Sequence, residues 1–145
     1  MYWHVFGLNA GAETKSMKRT FTLISLVLVL TSFTFPPASK GIEDIVAALK
    51  AGNAVQVSRY FDTTVEITLP QKSSTYSRSQ AEIILRDFFT TNNIRSFNVI
   101  HKGENAGSQY CIGTLIARSA QYRTTVFMKQ KGDRQTLQEI RFENR

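Results

Sequence analysis

Between residues 40 and 145 few side chains could move a proton near neutral pH: a single histidine, His101, and two carboxylates beside aromatic residues, Asp62 and Asp87. An imidazole or carboxylate facing an apolar cavity can be tuned into a general acid or base. Tyr60, Tyr76, Tyr110 and Tyr122 supply hydroxyls to act beside them as hydrogen-bond donors. His101 stands next to Lys102 and the glycine-flanked segment Gly103–Gly107. If the alternation Phe97, Val99, His101 holds, the imidazole shares a face with two apolar residues and is placed to act as a general base. The competing reading is a rim histidine hydrogen-bonded to a loop. Asp62 follows Tyr60-Phe61 where one periodicity gives way to another, the usual place of a turn or cap aspartate. Asp87 lies beside an apolar stripe, and Arg86 or Arg78 is its expected partner in a surface ion pair. His101 and Asp62 are the candidate bases, and no catalytic set assembles around either.

Other chemistries lack their residues. One cysteine and one histidine after residue 40 leave no metal-ligand spacing, and no metal or other cofactor is expected. No G-x-S-x-G elbow is present to present a nucleophilic serine. Gly103-Glu104-Asn105-Ala106-Gly107 lacks the strand-to-helix setting of a phosphate loop. Cys111 is alone, so it forms no internal disulfide, and within the apolar run Tyr110-Cys111-Ile112 it reads as a buried, inert thiol. Tyr60, Phe61, Tyr76, Leu85, Phe88, Phe89, Tyr110, Tyr122 and Phe127 could line a ligand pocket. A domain this small also needs such side chains simply to fold.

The element that must position them runs from Tyr76 to Asn92. Ala81, Ile84, Leu85, Phe88 and Phe89 recur at helical spacing on one stripe. Ser79 with Glu82, or Ser77 with Gln80 one register earlier, makes a capping box, and Asn92-Asn93 offers a left-handed stop. Ahead of it, Gly41 to Ala51 reads as a short amphipathic helix. Gly52-Asn53 then leads into a second helix over Ala54 to Phe61. Thr63 to Leu69 alternates as a half-buried strand ended by Pro70, and Ser73 to Tyr76 suggests a short returning strand. Four segments rich in β-branched and aromatic residues follow: Phe97 to Lys102, Ser108 to Ala117, Gln121 to Lys131 and Gln135 to Asn144. Links of three to five residues make them an antiparallel meander. Tyr110, Ile112, Ile116, Tyr122, Val126, Phe127, Ile140 and Phe142 are the expected core of its last three strands. Leu137, Glu139, Arg141 and Glu143 are expected on the opposite face, toward water or a second copy. Helices grouped apart from strands indicate an α+β fold with the helices on one face of a curved sheet.

At the N-terminal end, Met17-Lys18-Arg19 precedes an apolar run from Phe21 to Phe35, then Pro36-Pro37-Ala38-Ser39. This is the order of a secretory signal peptide, and the run is short of the roughly 18–20 residues that span a bilayer. Residues 17–39 are therefore read as a leader, residues 1–16 as an upstream extension, and 40–145 as one exported domain, periplasmic or secreted. An uncleaved membrane anchor is the alternative. From Lys40 onward, 15 Lys+Arg face 10 Asp+Glu, a net charge of +5. The charges are scattered, with no like-charge run longer than two residues, which argues against a nucleic-acid arm. A solvated basic surface drawn to acidic envelope polymers suits them better.

The segments ALKAGNAVQVSRYF, VEITLP, YSRSQAEIILRDFF, YCIGTL and YRTTVFMK carry a resemblance that covers nearly all of Gly41 to Arg145. Together they resemble a family of small exported bacterial proteins of unknown function with a nuclear transport factor 2-like (cystatin-like) fold. That resemblance implies a cone-shaped α+β domain in which a long helix wraps a bent, mainly antiparallel sheet. It transfers no activity and no functional residues. The expected role is non-catalytic: binding a small apolar ligand in the cone or a protein partner, with a homodimer through the sheet face implied by the superfamily. The alternative is a cofactor-free isomerase or hydrolase acting in the cone, with His101 or Asp62 as base.

Overall fold

The computed structural model describes residues 41–145; the expected leader and the extension before it lie outside them. The first helix, α1 (Ile42–Lys50), buries Ile42, Ile45, Val46 and Leu49 on one side. Glu43 and Asp44 sit in its first turn and Lys50 in its last, each complementing the helix dipole. Gly52 takes φ +60°, the left-handed conformation that ends a helix without a Cβ penalty. Asn53 Oδ1 then accepts the Gln56 N–H at 3.1 Å and starts α2 (Ala54–Ser58). This helix is shorter than its pattern predicts. Phe61 opens strand β1 (Phe61–Leu69) instead, because it pairs with Leu137 and the Leu137 N–H donates to the Tyr60 carbonyl at 2.6 Å. Tertiary pairing overrides the local preference.

Strand β2 (Lys72–Ser77) returns antiparallel to β1. Of the two capping registers open to the long helix α3 (Arg78–Asn92), the earlier is used: Ser77 and Gln80 form the box. Asn93 ends the helix at φ 52°. The meander follows as β3 (Ile94–Asn105), β4 (Ser108–Ala117), β5 (Gln121–Lys131) and β6 (Arg134–Asn144). The six strands form one curved sheet in the order β2-β1-β6-β5-β4-β3, antiparallel throughout except that β1 runs parallel to β6.

The expected α+β architecture holds, with α3 laid on the sheet. Ala81, Leu85, Phe88 and Phe89 are buried, and Ile84 is partly so. Phe88 packs edge-on against Tyr122 at 5.2 Å between ring centroids and lies 4.8 Å from Phe142. Tyr122 turns its hydroxyl to Asn92 Oδ1 at 2.6 Å, so its polar end is satisfied. Each such ring contributes about 1.5–3 kcal/mol by leaving water.

Strand faces depart from expectation in three places. On β4 the helix-facing residues are Gln109, Cys111, Leu115 and Ala117, so Tyr110, Ile112 and Ile116 stand half-buried on the outer face. That segment is apolar in both phases of the alternation, and its pattern cannot choose a face. Phe127, opposite Tyr110, goes with it and is 36% exposed. On β6 a bulge inserts Gln138, so Leu137 and Ile140 both turn inward and Leu137 is fully buried. On β3 a second bulge sets Ile100 and His101 against Ile112 alone, which moves His101 off the face of Phe97.

Candidate functional site

The β1–β6 register jumps from Phe61↔Leu137 to Glu66↔Glu139, leaving Asp62 through Val65 beside Gln138 alone. The strands part there, and an open groove of about 730 Å³ forms. One wall is Asp62 and Thr63; another is the start of α3, with Ser77, Arg78, Ser79 and Glu82. The third comes from the β5–β6 hairpin, with Lys131, Arg134 and Thr136.

Asp62 anchors the floor. Its carboxylate accepts the Gln138 amide at 2.8 Å, the Thr63 N–H at 2.7 Å and the Lys131 ammonium at 3.0 and 3.3 Å. The Gln138 amide, then the Thr63 N–H, then Lys131 hold this carboxyl well below the usual range. It stays ionised at neutral pH, and with three donors engaged its affinity for a proton is low. Glu82 is engaged as well: Arg86 pairs with it one helical turn away, and the Ser58 hydroxyl approaches at 2.9 Å. The expected Asp87 pair is therefore not formed with Arg86, and Arg78 instead donates to the Arg59 carbonyl at 3.2 Å. With Lys131 held by Asp62, Arg78 and Arg134 carry the groove's remaining positive charge.

His101 lies elsewhere. Its Nε2 is 2.8 Å from the Tyr110 hydroxyl, and the two rings stand 5.5 Å apart on the solvent-exposed outer face of the sheet. Gly103 makes this possible, because a Cβ there would come within 2.4 Å of the Tyr110 ring. The structure thus joins His101 to Tyr110 but not to Asp62. Tyr76 on β2 is partly buried, with the Lys72 ammonium 6.0 Å from its ring centroid. Tyr60 donates to Asp44, and its phenol is pushed up to about 12, first by burial and then by that bond. Burial pushes the Cys111 thiol up to about 11.

Of the side chains expected around a pocket, Leu85, Phe88, Phe89 and Tyr122 pack against one another and the sheet as core. Phe61 is also core and at the same time lines the groove. Tyr60 borders two smaller surface concavities, while Tyr110 and Phe127 stand on the outer face. Among the described residues no three His, Cys, Asp or Glu side chains gather to hold a metal, and no helix is long and apolar enough to cross a membrane. Sequence reasoning missed the groove because its cations come from separate segments. The cue was the hairpin Lys131-Gly132-Asp133-Arg134 with the serines that start α3.

A profile described as "Domain of unknown function (DUF4783)" matches residues 42–143. A DUF4783 family protein from Bacteroides uniformis is similar at 26% identity and a TM-score of 0.69, covering 71% of this chain and 95% of its own. Another, from Bacteroides ovatus, has 25% identity and a TM-score of 0.68 over 77% of this chain and 96% of its own. An NTF2-like protein of unknown function from Cytophaga hutchinsonii has 7% identity and a TM-score of 0.53, over 72% and 86%, and shares the fold. No curated protein matches the chain.

Proposed function

The chain belongs to the DUF4783 family, a domain of unknown function on the nuclear transport factor 2-like fold, and from that premise we propose an exported, non-catalytic interaction module. Its working surface in this reading is the outer face of the sheet, and its first partner is a second copy of itself. The observation that carries it is the apolar side of that face. Tyr110 lies opposite Phe127 and next to Ile112, with Ile116 beyond and Ile100, 60% exposed, alongside. Large apolar side chains grouped on one face, three half-buried and Ile100 and Phe127 exposed, with charge at the border, mark an association surface. The border is supplied by Glu139, Arg141 and Glu143 on β6 and Arg123 on β5, with Arg123 opposite Glu143. Both signs are present, Arg141 being paired with Glu139 in the same chain, and a two-fold copy that set Arg123 against Glu143 would add charge complementarity to the apolar contact.

A ligand lodged inside the cone fits less well, because Phe88, Phe89, Tyr122 and Phe142 occupy that space. Isomerase or hydrolase chemistry fits less well too, since His101 and Tyr110 meet in solvent and lack the water-excluded setting such catalysis uses. Export rests on the leader-like order of residues 17–39. The test is sedimentation velocity over a concentration series, wild type beside Phe127→Glu. Self-association that the substitution abolishes is the expected result; a wild-type monomer at every concentration overturns it.

A further inference from the structure

We propose that the groove between β1, the start of α3 and the β5–β6 hairpin binds an acidic saccharide, a sugar that carries both a carboxylate and free hydroxyls. This site is separate from the outer sheet face and does not depend on it.

The charge balance of the walls argues for the carboxylate. Among the described residues Arg134 forms no ion pair, and Arg78 spends a single contact on the Arg59 carbonyl. Lys131 holds Asp62 yet keeps its side chain 65% exposed toward the opening. Asp62 offsets Lys131 and Glu82 is offset by Arg86, which leaves Arg78 and Arg134 as the groove's net positive charge. Arginine presents a planar pair of donors that matches a carboxylate. The first turn of α3, fifteen residues long, adds its positive end to the same wall.

The remaining groups argue for hydroxyls on the ligand. Glu82 retains acceptor lone pairs after its two contacts, and a carboxylate offers about four. Thr63 and Ser79 bring hydroxyls that both donate and accept. Simple phosphate has no array of hydroxyls to donate to the free lone pairs of Glu82. An ammonium-bearing zwitterion would find both carboxylates engaged and meet Lys131. A neutral sugar would leave Arg134 without a partner. An open groove of about 730 Å³ admits more than one sugar ring, so a segment of an acidic polysaccharide is a better match than a lone metabolite.

The experiment titrates digalacturonate into the full chain labelled with ¹⁵N, with galactobiose and inorganic phosphate as parallel arms. Saturable shifts at Thr63, Ser77, Arg78 and Arg134 with digalacturonate are expected, together with weaker responses in both other arms. Arg134→Gln and Arg78→Gln should each weaken binding about 10- to 100-fold, the loss of one charge-assisted contact. Arg118→Gln, beside Asn92 and Asn93 at the far end of α3, should leave it unchanged. Both groove arginines are surface residues, so unchanged spectral dispersion in the variants shows that the fold is intact. Equal binding of phosphate, equal binding of galactobiose, shifts confined to the outer face, or no saturation would each overturn the assignment.

Discussion

The side-chain amide of Gln138 donates to Asp62 Oδ2 at 2.8 Å across the point where β1 and β6 part. Gln138 is the inserted residue of the β6 bulge, so the irregularity that opens the groove also supplies the donor that closes its floor. Asp62 is held below its unfolded pKa of about 3.9. A depressed carboxyl contributes stability that is complete above the unfolded value and is lost as pH falls through the folded one. Lys131 is exposed and its pairing is screened, so the amide and backbone bonds carry most of the effect, about 1 kcal/mol. Asp62→Asn should lower stability by about that much at pH 7 and should flatten the acid limb below pH ~4. Urea denaturation at the two pH values checks it; an unchanged acid limb counts against the role given to Asp62.

Two glycines on neighbouring strands should respond differently to the same methyl. A Cβ on Gly113 would meet the Phe97 ring at 2.4 Å and the Asn98 carbonyl oxygen at 2.6 Å. Phe97 is buried and the carbonyl belongs to the ladder, so neither can move away. Gly113→Ala should cost about 1–3 kcal/mol. At Gly103 the obstacle is the ring end of Tyr110, a partly exposed side chain free to swing outward. Gly103→Ala should cost well under that and should break the contact between His101 and Tyr110. Chemical denaturation ranks the two, and the His101 imidazole signals report the broken contact.

Two aromatic truncations separate core from surface. Phe88 is wedged between Tyr122 and Phe142, and Phe88→Ala should cost about 3–5 kcal/mol. Phe127 stands on the outer face, and Phe127→Ala should alter monomer stability by less than about 1 kcal/mol. Its effect should fall on self-association instead. Equal losses of stability for the two would contradict their placement.

The long helix was readable because one stripe is apolar, its start carries a capping box and its end carries asparagines. Strand order was less so. Tyr110-Cys111-Ile112 is apolar on both faces, so alternation alone could not decide that Cys111 points inward. The bulges at Ile100 and Gln138 leave no mark in residue type, yet each reverses the faces beyond it. That is why His101 left the face of Phe97 and Leu137 entered the core. The groove was hidden for a related reason. Asp62, Arg78, Lys131 and Arg134 look like scattered solvent charges until the parallel β1–β6 pairing brings them to one opening.

The alkaline limb of stability should report Cys111. Its thiol is fully buried, and burial raises its pKa to about 11, above the value of about 8.5 for an unfolded chain. The neutral form is favoured by folding, so this contribution is complete below pH ~8.5 and is lost as pH rises toward 11. Tyr60, raised to about 12, adds a second loss that begins only above about pH 10. Cys111→Ala should therefore flatten the limb between pH 9 and 10 while leaving the later fall in place. It should also show a cavity cost at neutral pH. In the wild type, a thiol reagent at pH 8 should react slowly with the native chain and rapidly once urea unfolds it. Fast labelling of the native protein would mean that the β4 face beneath α1 opens far more readily than its packing implies.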